Sequence, residues 1–224
     1  TLRHPNQRYF ILKSIMLNNL YGVDIMEEAV EICKLRLFLK LIAQVAGYEQ
    51  IEPLPDIDFN IKAGNTLVGF TSLDSVRQAM TVTPTGQHRM LSTEDEDTLK
   101  QIDEDTKVAD WAYQQFKESQ SGLNMDTGDF RTGKELLEEC LAKVCVQLDN
   151  YVAAAYGIEL NDTVAHERWR ERCLPFHWFV EFYGAMKNGG FDVIIGNPPY
   201  VEYSTIRSNY TLNDYQTESS GNLF

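Results

Sequence analysis

The stretch FDVIIG, Phe191 to Gly196, limits the folds open to this chain more than any other. Val193, Ile194 and Ile195 follow one another without a polar break, and the turn-forming run KNGG at 187–190 stands before them. A strand wet on one face alternates apolar and polar residues. A continuous apolar run of strand length instead predicts a strand covered by helices on both faces, as in a parallel sheet.

Two earlier stretches repeat the strand-then-turn pattern. In LNNLYGVDI, Leu17 to Ile25, the residues Leu20, Tyr21 and Val23 read as a short buried strand. A helix is expected after it. Ala29, Ile32, Cys33, Leu35, Leu37, Leu39, Ile42 and Val45 recur at near-helical spacing, Glu27, Glu28, Glu31, Lys34, Arg36 and Lys40 supply the wetter side, and Gly47 marks the stop. In DFNIKAGNTLVGF, Asp58 to Phe70, preceded by the breakers Pro53 and Pro55, Phe59 and Ile61 alternate with Asn60 and Lys62 before the Gly64-Asn65 turn. Three such units predict an α/β fold with a doubly wound, mostly parallel sheet. Ligands of such sheets sit beyond the carboxyl ends of the strands, where Asp24, Asn65 and Asn197 all stand.

The segment between the second and third units differs in character. From about Thr71 to Arg172 the chain is acidic and helix-prone: Thr98 to Phe116 reads as a charged helix, and SGLNMDTGDFRTG as a break. Leu136, Leu137, Cys140, Leu141, Val144, Leu148 and Val152 fit a second amphipathic helix. The expected organisation is a first part of an α/β core over 1–70, a mainly helical acidic insertion or hairpin over 71–172, and a returning core strand over 173–224. The acid run around Glu94 to Asp105 reads as a solvated helix face, since it lacks EF-hand spacing.

Charge and cysteines narrow the function classes. With 33 acids against 20 bases, a net charge of -13 repels phosphate backbones, so a nucleic-acid partner has to be gripped by a local basic patch or by protein outside this chain. Cys33, Cys140, Cys145 and Cys173 form no CxxC pair and are expected to be reduced. Cys173 and His177 stand four apart, but Pro175 lies between them and packing explains them better than a metal, so no metal is expected. No apolar run reaches the roughly 20 residues needed to span a bilayer, and the expectation is a soluble, cytoplasmic protein with no membrane partner.

The most specific chemistry lies in Asn197-Pro198-Pro199-Tyr200. Prolines have a fixed φ and no N–H, so two in succession build a stiff loop whose carbonyls are free to face a ligand. The Asn197 side-chain oxygen and the Pro198 carbonyl offer two acceptors for the two hydrogens of an exocyclic amine, and Tyr200 offers a flat face. Two such acceptors favour a more tetrahedral nitrogen and direct its lone pair at an electrophile. Asp24 and Asn65 each fit two roles. Asp24 accepts from ribose hydroxyls or caps the following helix; Asn65 meets a nucleobase edge or stabilises its turn.

These residues carry a family resemblance. The NPPY run after a hydrophobic strand resembles the fourth motif of amino-methyltransferases that use S-adenosylmethionine, above all DNA adenine-N6 methyltransferases. YGVDIMEEAVEICKLRLFLKL resembles their second motif and its helix, in the form found in fused type IIG restriction-modification enzymes and phage-defence methylases. FNIKAGNTLVGF is similar to the third motif, and PFHWFVEFYGAMKNGGFDVIIGNPPYVEY to the approach to the fourth. The resemblance covers most of 10–70 and 174–204.

It implies a Rossmann-like class I methyltransferase sheet and S-adenosylmethionine held by Asp24, Ile25, Asn65, Thr66 and Leu67. A flipped adenine of DNA would be held by Asn197, Pro198, Pro199 and Tyr200. Two departures accompany it. The third motif often carries an acid where Asn65 stands, and no glycine precedes Gly22, so the glycine-rich first motif is not present. An excerpt of a larger enzyme is therefore expected, truncated before the later core strands. Two other readings remain at this level. One is an NPPY methyltransferase acting on protein glutamine or ribosomal RNA guanine; the other is a non-catalytic module whose acids dock a basic partner.

Overall fold

The computed structural model describes residues 6–45, 47, 54–81, 90–121, 127–159 and 162–197. The chain is α/β and mostly helical, with a small parallel sheet of two strands. Helix α1 spans Gln7–Asn18, strand β1 Gly22–Asp24, helix α2 Glu27–Ile42 and strand β2 Ile61–Ala63. The strands pair in parallel with Gly22 opposite Ile61, Val23 opposite Lys62 and Asp24 opposite Ala63. Their carboxyl ends are therefore level.

Local chemistry sets these boundaries. Asn6 accepts the Tyr9 N–H at 3.0 Å and so caps α1, while its own amide donates to the Gln44 carbonyl at 2.7 Å, which ties the start of α1 to the end of α2. The buried Asn60 amide donates to the Leu20 carbonyl at 3.1 Å and the Leu17 carbonyl at 3.3 Å, closing the far end of α1. Tyr9, Met16, Leu17, Val30, Leu41, Ile57 and Ile61 form a small core between these two helices and the sheet.

The helical segment starts with α3, Leu73–Thr81, and continues with two long helices, α4, Thr93–Ser121, and α5, Thr127–Ala155. Ser92 and Asp95 cap α4 reciprocally, each accepting the other's N–H at 3.2 and 2.8 Å. The long helices run antiparallel. Lys143 of α5 pairs with Asp105 of α4 at 2.9 Å, and the far end of α4 meets the start of α5 at Asp56, whose N–H donates to Gln120 at 2.8 Å and whose carboxylate accepts from Lys134 at 2.6 Å. Glu94, Glu96, Asp97 and Glu104 lie on the exposed side of α4.

Helices α6, Thr163–Cys173, α7, Trp178–Glu181, and α8, Tyr183–Lys187, complete the described structure. Leu99, Ile102, Phe116, Leu137, Val144 and Leu148 of the long helices share one core with Phe59, Val68, Phe70, Trp169 and Phe179. The helical segment and the 59–70 stretch are thus sealed against each other. No helix among the described residues is long and apolar enough to cross a membrane.

Two expectations are corrected. The FDVIIG stretch is not a third strand: residues 191–197 carry no regular structure, and Val193, Ile194 and Ile195 are 73, 76 and 90 % exposed. A strand exists only through a neighbour's N–H and C=O groups, and although β1 and β2 each keep an open edge, no described residue supplies a ladder bond to this stretch. The apolar stripe read on α2 is only partly its covered face: Leu37 and Val45 pack against the small core, but its other large residues do not. Val30 and Leu41 are buried instead, while Ile32, Leu35 and Leu39 are all 57–58 % exposed. Both sides of this helix carry large apolar side chains, so spacing alone does not single out the covered one.

Candidate active site

The level strand ends bring two of the sequence-predicted residues to one edge. Asp24 closes β1, and Gly64-Asn65 follows β2 directly, with the Gly64 N–H donating to the Asp24 carbonyl at 2.9 Å. The Asp24 side chain is exposed. One carboxylate oxygen accepts the Met26 N–H at 2.9 Å, an Asx-type turn two residues long just ahead of α2, whose N-cap, Met26, has no side-chain cap. The other oxygen has no partner among the described residues. Ile25, next in the chain, is exposed as well.

Asn65 is buried and shapes its own turn. Its side-chain oxygen accepts the Leu67 N–H at 3.1 Å and its carbonyl accepts the Val68 N–H at 3.0 Å, an arrangement typical of asparagine at a tight turn. The amide nitrogen of Asn65 has no partner among the described residues and remains a donor. Both roles considered for this residue are thus compatible with its geometry.

A second segment, 174–178, clasps this turn from the other side. Asn65 N donates to the Leu174 carbonyl and Phe176 N to the Val68 carbonyl, each at 2.7 Å, and the Trp178 indole donates to the Thr66 carbonyl at 3.2 Å. The approach is close enough to require glycine. At Gly69, with φ of +138°, a Cβ would stand 2.2 Å from the Phe176 carbonyl oxygen, and at Gly64 one would stand 2.6 Å from the Phe176 ring.

Two buried polar sets behind the turn were not singled out from sequence. Lys62 of β2 pairs with Glu181 of α7, which also accepts from the Cys145 thiol of α5 at 3.3 Å. Burial works against ionisation of Glu181, yet the charge and hydrogen bond of Lys62 outweigh it and hold its carboxyl below the ordinary range. Burial, reinforced by the Glu181 charge, pushes the Cys145 thiol well up, so it stays protonated and inert. In the second set His177 lies between the Phe70 N–H and Asp149, which in turn pairs with Arg170. A histidine, an indole and a carboxylate within PFHWFVEF, an otherwise apolar run, were the sequence signal for these groups.

An aromatic cluster seats the start of the 191–197 stretch here. The Phe191 ring meets Tyr21, just before β1, at 5.4 Å, Phe182 at 5.7 Å and Trp178 at 6.1 Å, all edge-on. Asn197 is exposed at the end of that stretch. Pro198, Pro199 and Tyr200 lie outside the described residues. Cys173 and His177 are both packed in the core, and among the described residues no group of three or more His, Cys, Asp or Glu side chains stands close enough to hold a metal.

Polar residues thus stand at the carboxyl edge of a parallel pair of strands, the edge where open α/β sheets take their ligands. Comparison with known proteins gives the class a family: residues 18–224 match the Eco57I restriction-modification methylases, and the chain belongs to that family. A curated relative from Methanocaldococcus jannaschii, described as "Putative type II restriction enzyme and methyltransferase", is 32% identical over 229 residues. The alignment takes in 89% of this chain and 19% of that protein, so the chain spans about a fifth of its relative's length. No solved structure matches the chain.

Proposed function

We propose that this chain supplies the cofactor edge and the base-gripping loop of a DNA adenine-N6 methyltransferase working in restriction-modification, with S-adenosylmethionine as methyl donor. The observation that carries the reading is the parallel register of β1 and β2, which sets Asp24 beside the turn that begins at Gly64. Membership of a restriction-modification methylase family supports the same reading.

The residues at the edge fit the donor chemically. The free carboxylate oxygen of Asp24 accepts from ribose hydroxyls, exposed Ile25 gives an apolar surface for a ring, and the spare Asn65 amide donates to a ring nitrogen. Thr66 and Leu67 complete that turn. S-adenosylmethionine supplies a methyl group on a positively charged sulfur. Asn197 and the Pro198 carbonyl accept from the target amine, Pro199 stiffens the loop, and Tyr200 stacks on the base. As the target nitrogen bonds to the methyl group the methyl–sulfur bond would break and the sulfur leave as a neutral thioether, while the nitrogen turns tetrahedral and gains the positive charge. The two acceptors therefore hold the transition state more strongly than the flat ground state, and the extra proton then leaves to water.

The sheet, on this reading, belongs to a larger Rossmann-like one. Bared Val193, Ile194 and Ile195 have the composition of a central strand, and additional sheet neighbours from a longer protein would cover them. Such a protein also provides the basic DNA-gripping surface that a net charge of -13 argues against here.

The test is transfer of labelled methyl groups by the full-length protein to DNA, to release factor and to ribosomal RNA in parallel. Label recovered as N6-methyladenine in DNA supports the reading. Label confined to protein or RNA moves the substrate, and label in none overturns it.

A further inference from the structure

Four hydrogen bonds hold the turn from Asn65 to Phe70 against residues 174–178, and three of them end on main-chain carbonyls, those of Leu174, Val68 and Thr66, so their direction is fixed. The fourth depends on a choice of protonation. The Phe70 N–H points at Nδ1 of His177 at 3.2 Å, and the other ring nitrogen, Nε2, stands 3.0 Å from an Asp149 carboxylate oxygen. Phe70 N–H can only donate, so Nδ1 has to be bare, and the ring proton then belongs on Nε2, where Asp149 accepts it. The second Asp149 oxygen takes the Arg170 guanidinium at 2.8 Å, so its charge is paired and its orientation set. His177 and Asp149 are almost fully buried, and the imidazole stacks on the Phe70 ring at 5.6 Å. The neighbouring charges, Glu181 of α7 and Lys62 of β2, are occupied with each other.

We infer that His177 is a positioning residue for the cofactor edge: helix α5, through Asp149, fixes the imidazole tautomer that holds Phe70 N–H and with it the Asn65–Leu67 turn. This rests on the reading of that turn as the cofactor edge. The helical segment then has a task beyond packing. It reaches across to orient the turn from behind, as outer partners orient the ligands of other sites.

Two substitutions separate this task from simple core filling. In His177→Asn the amide oxygen takes the place of Nδ1 and still accepts from Phe70, while contact with Asp149 is lost. In His177→Gln the amide reaches Asp149 and the Phe70 N–H loses its acceptor. In the full-length protein, His177→Gln is expected to weaken S-adenosylmethionine binding about tenfold and to expose the Phe70 amide to hydrogen exchange, with His177→Asn within about threefold of wild type on affinity.

The wild-type protein provides a readout without substitution or cofactor: imidazole nitrogen NMR should show a bare Nδ1 and a protonated Nε2. The opposite tautomer, an imidazolium, or equal effects of the two substitutions would overturn the inference. If wild type binds no S-adenosylmethionine, the reading of the turn as a cofactor edge fails instead, and exchange at Phe70 alone decides whether His177 positions it.

Discussion

Helices α4 and α5 bury Leu99, Ile102, Phe116, Leu137, Val144 and Leu148 in one core and leave Val108, Trp111, Leu136 and Val146 outside it, whereas α1 and α2 bury few large apolar residues and leave Phe10, Ile11, Ile32, Leu35 and Leu39 in water. The contrast sits within one chain and one composition. The helical segment has a complete core, with Val144 and Leu148 entirely buried, and it lends that core to the turn after β2. The α/β half has a core of seven residues and more apolar surface than the described chain covers. Stability is thus concentrated in one region while the polar residues expected to do chemistry stand on the rim of the other.

That division can be broken by mutation. The largest effect is expected in the sealed region: Leu148→Ala leaves a void where the side chain is fully buried and should cost about 2–5 kcal/mol, measured by denaturant unfolding. A cost near zero would mean that the two helices do not share the core described. Next comes the Lys62–Glu181 pair that joins the regions. Removing the charge in Glu181→Gln leaves Lys62 mostly buried without its counter-ion, an expected loss of about 3 kcal/mol at neutral pH.

The pair also gives a pH signature. Glu181 has its folded pKa lowered from 4.5, so its contribution is fully present above that value and is lost as pH falls through the lower folded one. Wild type should therefore lose stability below about pH 4.5 more steeply than Glu181→Gln. Equal acid limbs would remove the pair from the account. The smallest effect belongs to the uncovered side: Leu39→Ser should change the stability of this chain by no more than about 0.5 kcal/mol. A loss of several kcal/mol would show that α2 is covered after all, and the comparison would lose its open half.

Legibility in the sequence followed the range of the interactions. Helix α5 was readable because Leu137, Leu141, Val144, Leu148 and Val152 repeat at local spacing, and α2 because acids precede bases along it. Helix α4 proved longer than the Thr98–Phe116 expected, since the Ser92–Asp95 cap falls upstream of the apolar repeat. Helix α1 left little trace, with apolar residues on all its sides and only Asn6 as a start signal. FDVIIG was read as a strand from its composition, but a ladder depends on neighbours that composition does not report.

The same limit applied at the site. Asp24 and Asn65 could be placed at the carboxyl ends of β1 and β2 because strand ends are local features. His177 was noticed only as a possible partner of Cys173, because its true partners, Asp149 and Phe70, are 28 and 107 residues away in sequence. Buried polar pairs of that separation leave no periodic signal. Gly69 passed unremarked for the same reason, since the carbonyl it makes room for belongs to Phe176.

The central claim is that the α/β rim divides its labour, with Asp24 serving the methyl donor and Asn197 the target amine. It is tested most directly by measuring S-adenosylmethionine affinity and methyl-transfer rate side by side in the full-length protein. Asn197→Ala should cut transfer by about 10²–10³-fold with affinity unchanged, and Asp24→Ala should weaken affinity about tenfold or more. Transfer by Asn197→Ala within a few-fold of wild type, or an unaltered dissociation constant in Asp24→Ala, would contradict it.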